Sequence, residues 1–140
     1  MASRTLMIIK PDAVSRSVIG DIVKHVEAEG YRVAEMQMLR MTWAQAAEFY
    51  AVHHERPFYR DLLAFMTSGP SVPMVLVRED DNAVAGLRQV VGATNPAEAS
   101  EGTIRKAHGS SVQTNAVHAS DSPENAAKEI AFFFGEQALR

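Results

Sequence analysis

Leu6-Met7-Ile8-Ile9 runs directly into Lys10-Pro11-Asp12. A short unbroken apolar run, stopped by a charge and a proline, reads as a buried strand passing into a turn. Working outward, Ile19, Ile22, Val23 and Val26 recur at helical spacing and Gly30 closes that helix. Residues 33–41 are apolar except for Glu35, Gln37 and Arg40, which suits a strand with one half-exposed face. Thr42-Trp43-Ala44-Gln45 has the form of a capping box and opens a helix through Phe49, Tyr50 and Val52. Pro57 fits the first turn of a second short helix carrying Phe58, Leu62, Leu63, Phe65 and Met66. After the Ser68-Gly69-Pro70 turn, 72–77 reads as a third strand, which Pro73 assigns to an edge or a bulge. Asn82 caps a helix that ends at Gly92, and 93–114 reads as a long, and hence functional, loop. A last strand lies around Ala116-Val117-His118, and Ser122-Pro123-Glu124 starts the final helix. The order β-α-β-(α-α)-β-α-β-α points to an α+β sandwich of the split βαβ type.

The chain has 140 residues, within the range of a single domain, and no repeat, low-complexity tract or linker divides 1–140. Hydrophobic residues make up 46% and charged ones 22%, which excludes a disordered chain. The net charge of −3 argues against a general nucleic-acid footprint while leaving room for a local basic pocket. There is no cysteine, so disulfides, thiolate metal sites and cysteine nucleophiles are excluded. No apolar run reaches the roughly 18 residues of a membrane span, and the start lacks a signal-peptide pattern. The expectation is a soluble cytoplasmic protein that does not engage membranes.

No Gly-rich phosphate loop, dinucleotide fingerprint, zinc-protease helix or nucleophile elbow occurs, so any nucleotide site must be built differently. The densest polar cluster is Asn115-Ala116-Val117-His118-Ala119-Ser120-Asp121-Ser122. A neutral imidazole is a competent nucleophile at pH 7 and needs an acceptor to fix its tautomer, which Glu129 on the following helix could supply. The same residues also fit a plain turn-and-cap cluster. Lys10 at a strand end, with Arg88, Thr94 and Arg105 around the long loop, are candidates for a phosphate pocket, Arg offering a fixed fork of donors. Taken singly, each would be a solvated surface group, and Phe58 a core aromatic.

Jointly these stretches resemble the nucleoside diphosphate kinases over essentially the whole chain. The matching segments are Arg4-Thr5-Leu6 through Ile9-Lys10-Pro11-Asp12-Ala13, Phe49-Tyr50 with Glu55-Arg56-Pro57-Phe58, Ser68-Gly69-Pro70, and Gly92-Ala93-Thr94-Asn95-Pro96. Glu101-Gly102-Thr103-Ile104-Arg105 and the His118 cluster complete the set in the family's order. The resemblance implies a ferredoxin-like sandwich with a four-stranded antiparallel sheet and helices on its faces. It implies a two-step relay in which a nucleoside triphosphate, mainly ATP, phosphorylates His118 and a nucleoside diphosphate collects the phosphate. Lys10 would reach ribose and phosphates, Asn115 the ribose, and Arg88, Thr94 and Arg105 the phosphate oxygens. Phe58 would stack on the base, Tyr50 would line the pocket beside His118, and Ser120 and Glu129 would orient the imidazole. Magnesium would ride on the phosphates, with no protein residues as dedicated metal ligands. The family forms tetramers or hexamers built from dimers.

The chain departs from the family pattern at Ala119, where glycine is usual; if the position needs φ > 0, the methyl would cost about 1 kcal/mol and tilt His118. The stretch 71–81 looks two residues longer than the family norm, which suggests a hairpin-like tip away from the nucleotide. The ending at Arg140 matches short bacterial members. The competing reading is a nucleotide-binding regulatory module that has lost transfer, against which the retained His118, Lys10, Arg88 and Arg105 argue. An RNA-binding sheet is disfavoured by the charge and the lack of paired RNA-recognition aromatics.

Overall fold

The computed structural model describes residues 1–140. β1 (Ser3–Ile9) pairs antiparallel with β3 (Val72–Arg78) from Ser3 opposite Arg78 to Ile9 opposite Val72. β4 (Val117–Ala119) takes the other side of β1, and β2 (Arg32–Met36) takes the far side of β3. The sheet is therefore four-stranded, in the order β2-β3-β1-β4, with every pair antiparallel.

Alternation along β1 turns Met7 and Ile9 to one face and Leu6 and Ile8 to the other. The first face packs on Ile22 and Val26 of α2 (Ile19–Ala28) and on Leu87 and Val91 of α5 (Ala83–Val91). The second packs on Ala46 of α3 (Trp43–Phe49), Leu63 and Met66 of α4 (Tyr59–Met66), and Ile130 of α7 (Pro123–Phe134). A sheet with apolar layers on both faces is the ferredoxin-like sandwich that the element order implies. Its register also decides where the chemistry lies. His118 stands opposite Ile8, so it shares the face of α3 and α7, whereas Val117 and Ala119 join the first core.

The capping box at Thr42 is reciprocal: Thr42 Oγ1 accepts the Gln45 N–H at 3.1 Å, and the Thr42 N–H donates to Gln45 Oε1 at 2.9 Å. Ser122 Oγ likewise accepts the Asn125 N–H at 3.0 Å, each cap contributing about 1 kcal/mol. Asn82 occupies the N-cap of α5 without using its side chain. Instead Ser3 Oγ, from β1, accepts the Ala83 N–H at 2.9 Å and donates to the Asp80 carbonyl at 2.7 Å.

Several boundaries differ from the sequence expectation. Pro73 sits in a strand paired on both sides, not on an edge. Its carbonyl accepts from the Gln37 N–H at 3.2 Å, so its missing N–H also faces β2, where that strand has already left the ladder. The irregularity falls in β2, between Val33 and Glu35, and β2 ends at Met36 with only an isolated bridge at Leu39 beyond it. α3 stops at Phe49 and gives way to a 3-10 turn, Ala51–His53. Pro57 lies in the turn before α4 rather than inside it. Residues 93–114 hold a 3-10 turn, Pro96–Glu98, and α6 (Ile104–His108), capped by Thr103. A short α1 (Pro11–Ser15) follows Lys10 directly. The 71–81 stretch makes no hairpin: β3 runs to Arg78, whose Nε pairs with Asp80 at 3.0 Å, and the chain turns straight into α5. No helix is long and apolar enough to cross a membrane.

Candidate active site

A cleft of about 830 Å³ opens where the carboxyl end of β1, the start of β4, α3, α5 and α7 meet. Lys10, Tyr50, Arg88, Thr94, Arg105, Asn115, His118 and Glu129 all line it. Each arrives for a local reason. Lys10 follows the last residue of β1 as the N-cap of α1, and Arg88 lies in the last turn of α5. Arg105 is on the first turn of α6. Asn125, Lys128, Glu129 and Phe132 of α7 fall at i, i+3, i+4 and i+7, so one helical face supplies a whole wall.

His118 Nε2 lies 2.8 Å from Glu129 Oε1, and the same oxygen accepts the Ser120 hydroxyl at 2.6 Å. A carboxylate only accepts, so Nε2 carries the proton and Nδ1 of the neutral ring keeps its lone pair without a protein partner. Phe49 packs against the imidazole at 5.5 Å between ring centroids and 75° between planes. Phe132 and Phe133 buttress Phe49 from behind. The ring is held by a hydrogen bond along one edge and an aromatic wall beside it.

The cations are pinned through backbone carbonyls. Lys10 Nζ donates to the Gln113 carbonyl at 2.7 Å and to Asn115 Oδ1 at 2.9 Å. Burial pushes its pKa down from 10.5 to about 8, with Asp12 opposing that shift and Arg105 adding to it. Arg105 donates to the carbonyls of Gly92 and Val117 at 3.0 and 2.9 Å, while its Nε is buried without a partner. Burial, and then the charge of Arg88, lower it to about 10, so it stays cationic at neutral pH. Gly92 is needed here: its φ is 92°, and a Cβ would lie 2.7 Å from the Thr103 side chain. Arg88 Nη1 reaches the Ala119 carbonyl at 3.2 Å, and Asn115 Nδ2 donates to the Thr94 carbonyl at 3.0 Å. Burial raises the Tyr50 phenol, with the charge of Glu129 adding to the effect, so it remains a hydroxyl donor. Asp121 is held below the usual carboxylate range by the Asn125 amide, 2.7 Å away, and then by Arg88.

Two expected residues sit apart from the cleft lining. Phe58 is 46% exposed at the N-cap of α4, its ring 5.5 Å from that of His53, which does line the cleft. Ser120 is fully buried behind Glu129. Ala119 lies in β4, and the only non-glycine residues with positive φ are Ser17 and Ala116, so its methyl brings no backbone penalty. Sequence reasoning passed over Phe49 as a wall for His118, and also His53, Val112, Asp121, Asn125 and Lys128. The helical spacing from Glu129 would have found Asn125, Lys128 and Phe132. The Gln113 carbonyl leaves no side-chain signature.

A ferredoxin-like sheet whose cleft gathers Lys10, Arg88 and Arg105 around a histidine with a free ring nitrogen is the build of a phosphate-handling enzyme. Comparison with known proteins narrows this. The family model for nucleoside diphosphate kinase matches residues 3–139. The nucleoside diphosphate kinase of Chlorobium chlorochromatii is 54% identical over 136 residues, covering 97% of this chain and 96% of the relative. That of Persephonella marina is 53% identical, covering 94% and 92%. The crystal structure of the Aquifex aeolicus nucleoside diphosphate kinase superposes with a TM-score of 0.94 at 40% identity, each chain fully covered. The chain belongs to the nucleoside diphosphate kinase family and is a phosphotransferase that moves phosphate between nucleotides.

Proposed function

We propose that transfer proceeds through a phosphohistidine on Nδ1 of His118. The observation that carries this reading is the Glu129 carboxylate on Nε2, which leaves Nδ1 as the ring's one lone pair in a cleft lined by cations. Nδ1 attacks the γ-phosphorus of a nucleoside triphosphate, mainly ATP; the bond from that phosphorus to the β–γ bridging oxygen breaks, and the diphosphate departs. A β-phosphate oxygen of the acceptor diphosphate then attacks the same phosphorus, the N–P bond breaks, and the neutral ring returns. Phosphoryl transfer relies on positioning and charge stabilisation. In this reading Lys10, Arg88, Thr94 and Arg105 hold phosphate oxygens, and Tyr50 donates beside His118. Lys10 and Asn115 hold the sugar, and Phe58 stacks on the base, which reads no base identity. Both ribo- and deoxyribonucleotides therefore serve.

No group of three or more acidic or histidine side chains is placed to cage a metal ion. Magnesium enters as part of the substrate, the magnesium nucleotide. Work on nucleoside triphosphates suits the cytoplasm, and the family resemblance supports a homo-oligomer, tetramer or hexamer, assembled from dimers.

Mass determination of the intact chain tests the relay. With ATP and magnesium, the chain should gain one phosphate and lose it on addition of a diphosphate, and donor and acceptor should give parallel double-reciprocal lines. His118→Ala should remove both phosphate uptake and transfer while keeping nucleotide binding. Transfer within about tenfold of wild type in that variant would overturn the assignment. A chain that binds nucleotide but neither gains phosphate nor transfers it would be a regulatory module instead, and transfer without phosphate uptake would mean direct transfer in a ternary complex.

A further inference from the structure

Ala116, two residues before His118, is fully buried and has a φ of 75°. Across it the Val117 N–H donates to the Asn115 carbonyl at 2.9 Å. This is a three-residue γ-turn of the positive-φ form, which an L-residue adopts only under strain. Strain of this kind persists where surrounding contacts over-determine it, and its observation is a reason to look for function.

The contacts are on both sides of the same residue. The Ala116 N–H donates to Asp12 Oδ2 at 3.0 Å, and the Ala116 carbonyl accepts the Lys10 N–H at 2.9 Å. Both partners come from the turn after β1, more than a hundred residues earlier in the chain. The other Asp12 oxygen, Oδ1, is buried without a hydrogen-bond partner. A carboxylate edge left without a partner in the interior costs folding free energy, which offsets part of what the other oxygen's bond to Ala116 and the place of Asp12 in the first turn of α1 contribute.

We propose that Asp12 is a positioning residue: its carboxylate clamps the strained Ala116 turn and thereby sets Asn115 and His118 at the distance from Lys10 that transfer requires. The inference rests on His118 as the phosphate carrier. Asp12 does not line the cleft and acts through others. Its clamp fixes the segment in which Asn115 meets Lys10 Nζ and from which β4 departs with His118. Its charge also favours the protonated form of Lys10.

The test is a double-mutant cycle between Asp12→Ala and Ala116→Gly, scored by steady-state transfer, nucleotide affinity and thermal unfolding. Asp12→Ala should lower kcat by on the order of 100-fold, the usual consequence of an ångström-scale misplacement, with a smaller loss in nucleotide affinity, because Phe58, Arg88 and Arg105 still bind. Glycine adopts positive φ without strain, so in the Ala116→Gly background the same Asp12→Ala change should cost less than about tenfold. A double variant that folds and turns over where Asp12→Ala alone does not fold is the same rescue in stronger form. An equal loss in both backgrounds overturns the proposal, and so does transfer in Asp12→Ala within about threefold of wild type. Asp12→Asn, which keeps an acceptor oxygen for the Ala116 N–H, should retain transfer within about tenfold; a 100-fold loss there overturns the clamp even if neither alanine variant folds. His118→Ala in the same assay separates the two readings. Transfer surviving in it overturns the carrier, whereas His118 dependence with Asp12 indifference overturns only the positioning.

Discussion

Lys10 Nζ donates to Asn115 Oδ1 across 2.9 Å, joining the end of β1 to the segment that enters β4. An ammonium has three protons; the Asn115 oxygen and the Gln113 carbonyl take all but one. The remaining proton is the one offered to a ligand. Deprotonating Lys10 removes both that charge and the donor.

Burial lowers Lys10 to about 8, so kcat/KM for transfer should fall on the alkaline side with a midpoint near that value, kcat/KM reporting the free enzyme. Stability should move the other way. The folded pKa lies below the unfolded value of 10.5, so between them the unfolded chain binds more protons and stability rises with pH. Below pH 8 the penalty for burying the charged form is fully present, on the order of 3 kcal/mol at its limit. Relative to Lys10→Met, wild type should gain stability from about pH 8 to 10.5 in denaturant titrations. A kcat/KM profile flat to above about pH 9.5 would contradict the role given to the charged amine.

Glu129→Gln should be far more damaging than Ser120→Ala. A glutamine can turn its amide NH₂ toward Nε2, which moves the ring proton to Nδ1 and removes the attacking lone pair. The expected loss in kcat is at least about 100-fold. Ser120→Ala removes only the second donor to Oε1, 2.6 Å away, and leaves the His118 bond in place; about tenfold is expected. Single-turnover phosphate uptake measures both, and a reversed order would show that Ser120, not Glu129, orients the ring.

The parts of this site that were legible in the sequence are those with a local signature. β1 is buried on both faces, so its apolar run stands out, and the caps at Thr42 and Ser122 follow from side chains a few residues away. α1 and α6 span five residues each, too few for a helical period to emerge. Pro73 misled because the edge rule is local, while the lapse in β2 that accommodates it is set by the partner strand. The Ala116 turn has no glycine to announce it, and its clamp comes from Asp12 across the whole chain. The resemblance named Lys10, Tyr50, Arg88, Thr94, Arg105, Asn115, His118 and Glu129, which line the cleft, and Phe58 and Ser120, which do not; the geometry adds the Gln113 carbonyl and the Phe49 wall, which only the folded chain brings into place.

Phe58 stands half-exposed beside His53 rather than in the cleft wall. A ring so placed can stack on a base entering the cleft mouth without being part of the core. Phe58→Ala should weaken adenine, guanine, cytosine and uracil nucleotides alike, by about 1–3 kcal/mol each. Equilibrium binding across the four bases checks this, and a loss confined to one base would replace stacking with specific recognition. The melting temperature should stay nearly unchanged, because an exposed ring contributes little packing.

The sugar should be read through its 3′-hydroxyl. Asn115 Nδ2 spends one proton on the Thr94 carbonyl at 3.0 Å, and like Lys10 Nζ it keeps one for a ligand. Both groups are buried, so a nucleotide that cannot accept leaves them unpaired, at about 1–3 kcal/mol per group. A deoxyribose lacking only the 2′-hydroxyl still presents its 3′-oxygen. Single-turnover phosphorylation by ATP and by 2′-deoxy-ATP should therefore proceed at similar rates. With 2′,3′-dideoxy-ATP the rate should fall by about 10- to 100-fold, because the same hydroxyl helps to place the phosphates and its loss appears in the chemical step as well as in binding. Asn115→Ala gives the complementary arm: having no amide to satisfy, it should discriminate less between ATP and the dideoxy analogue than wild type does. Equal rates for all three nucleotides in the wild-type chain would mean that Lys10 and Asn115 do not hold the sugar.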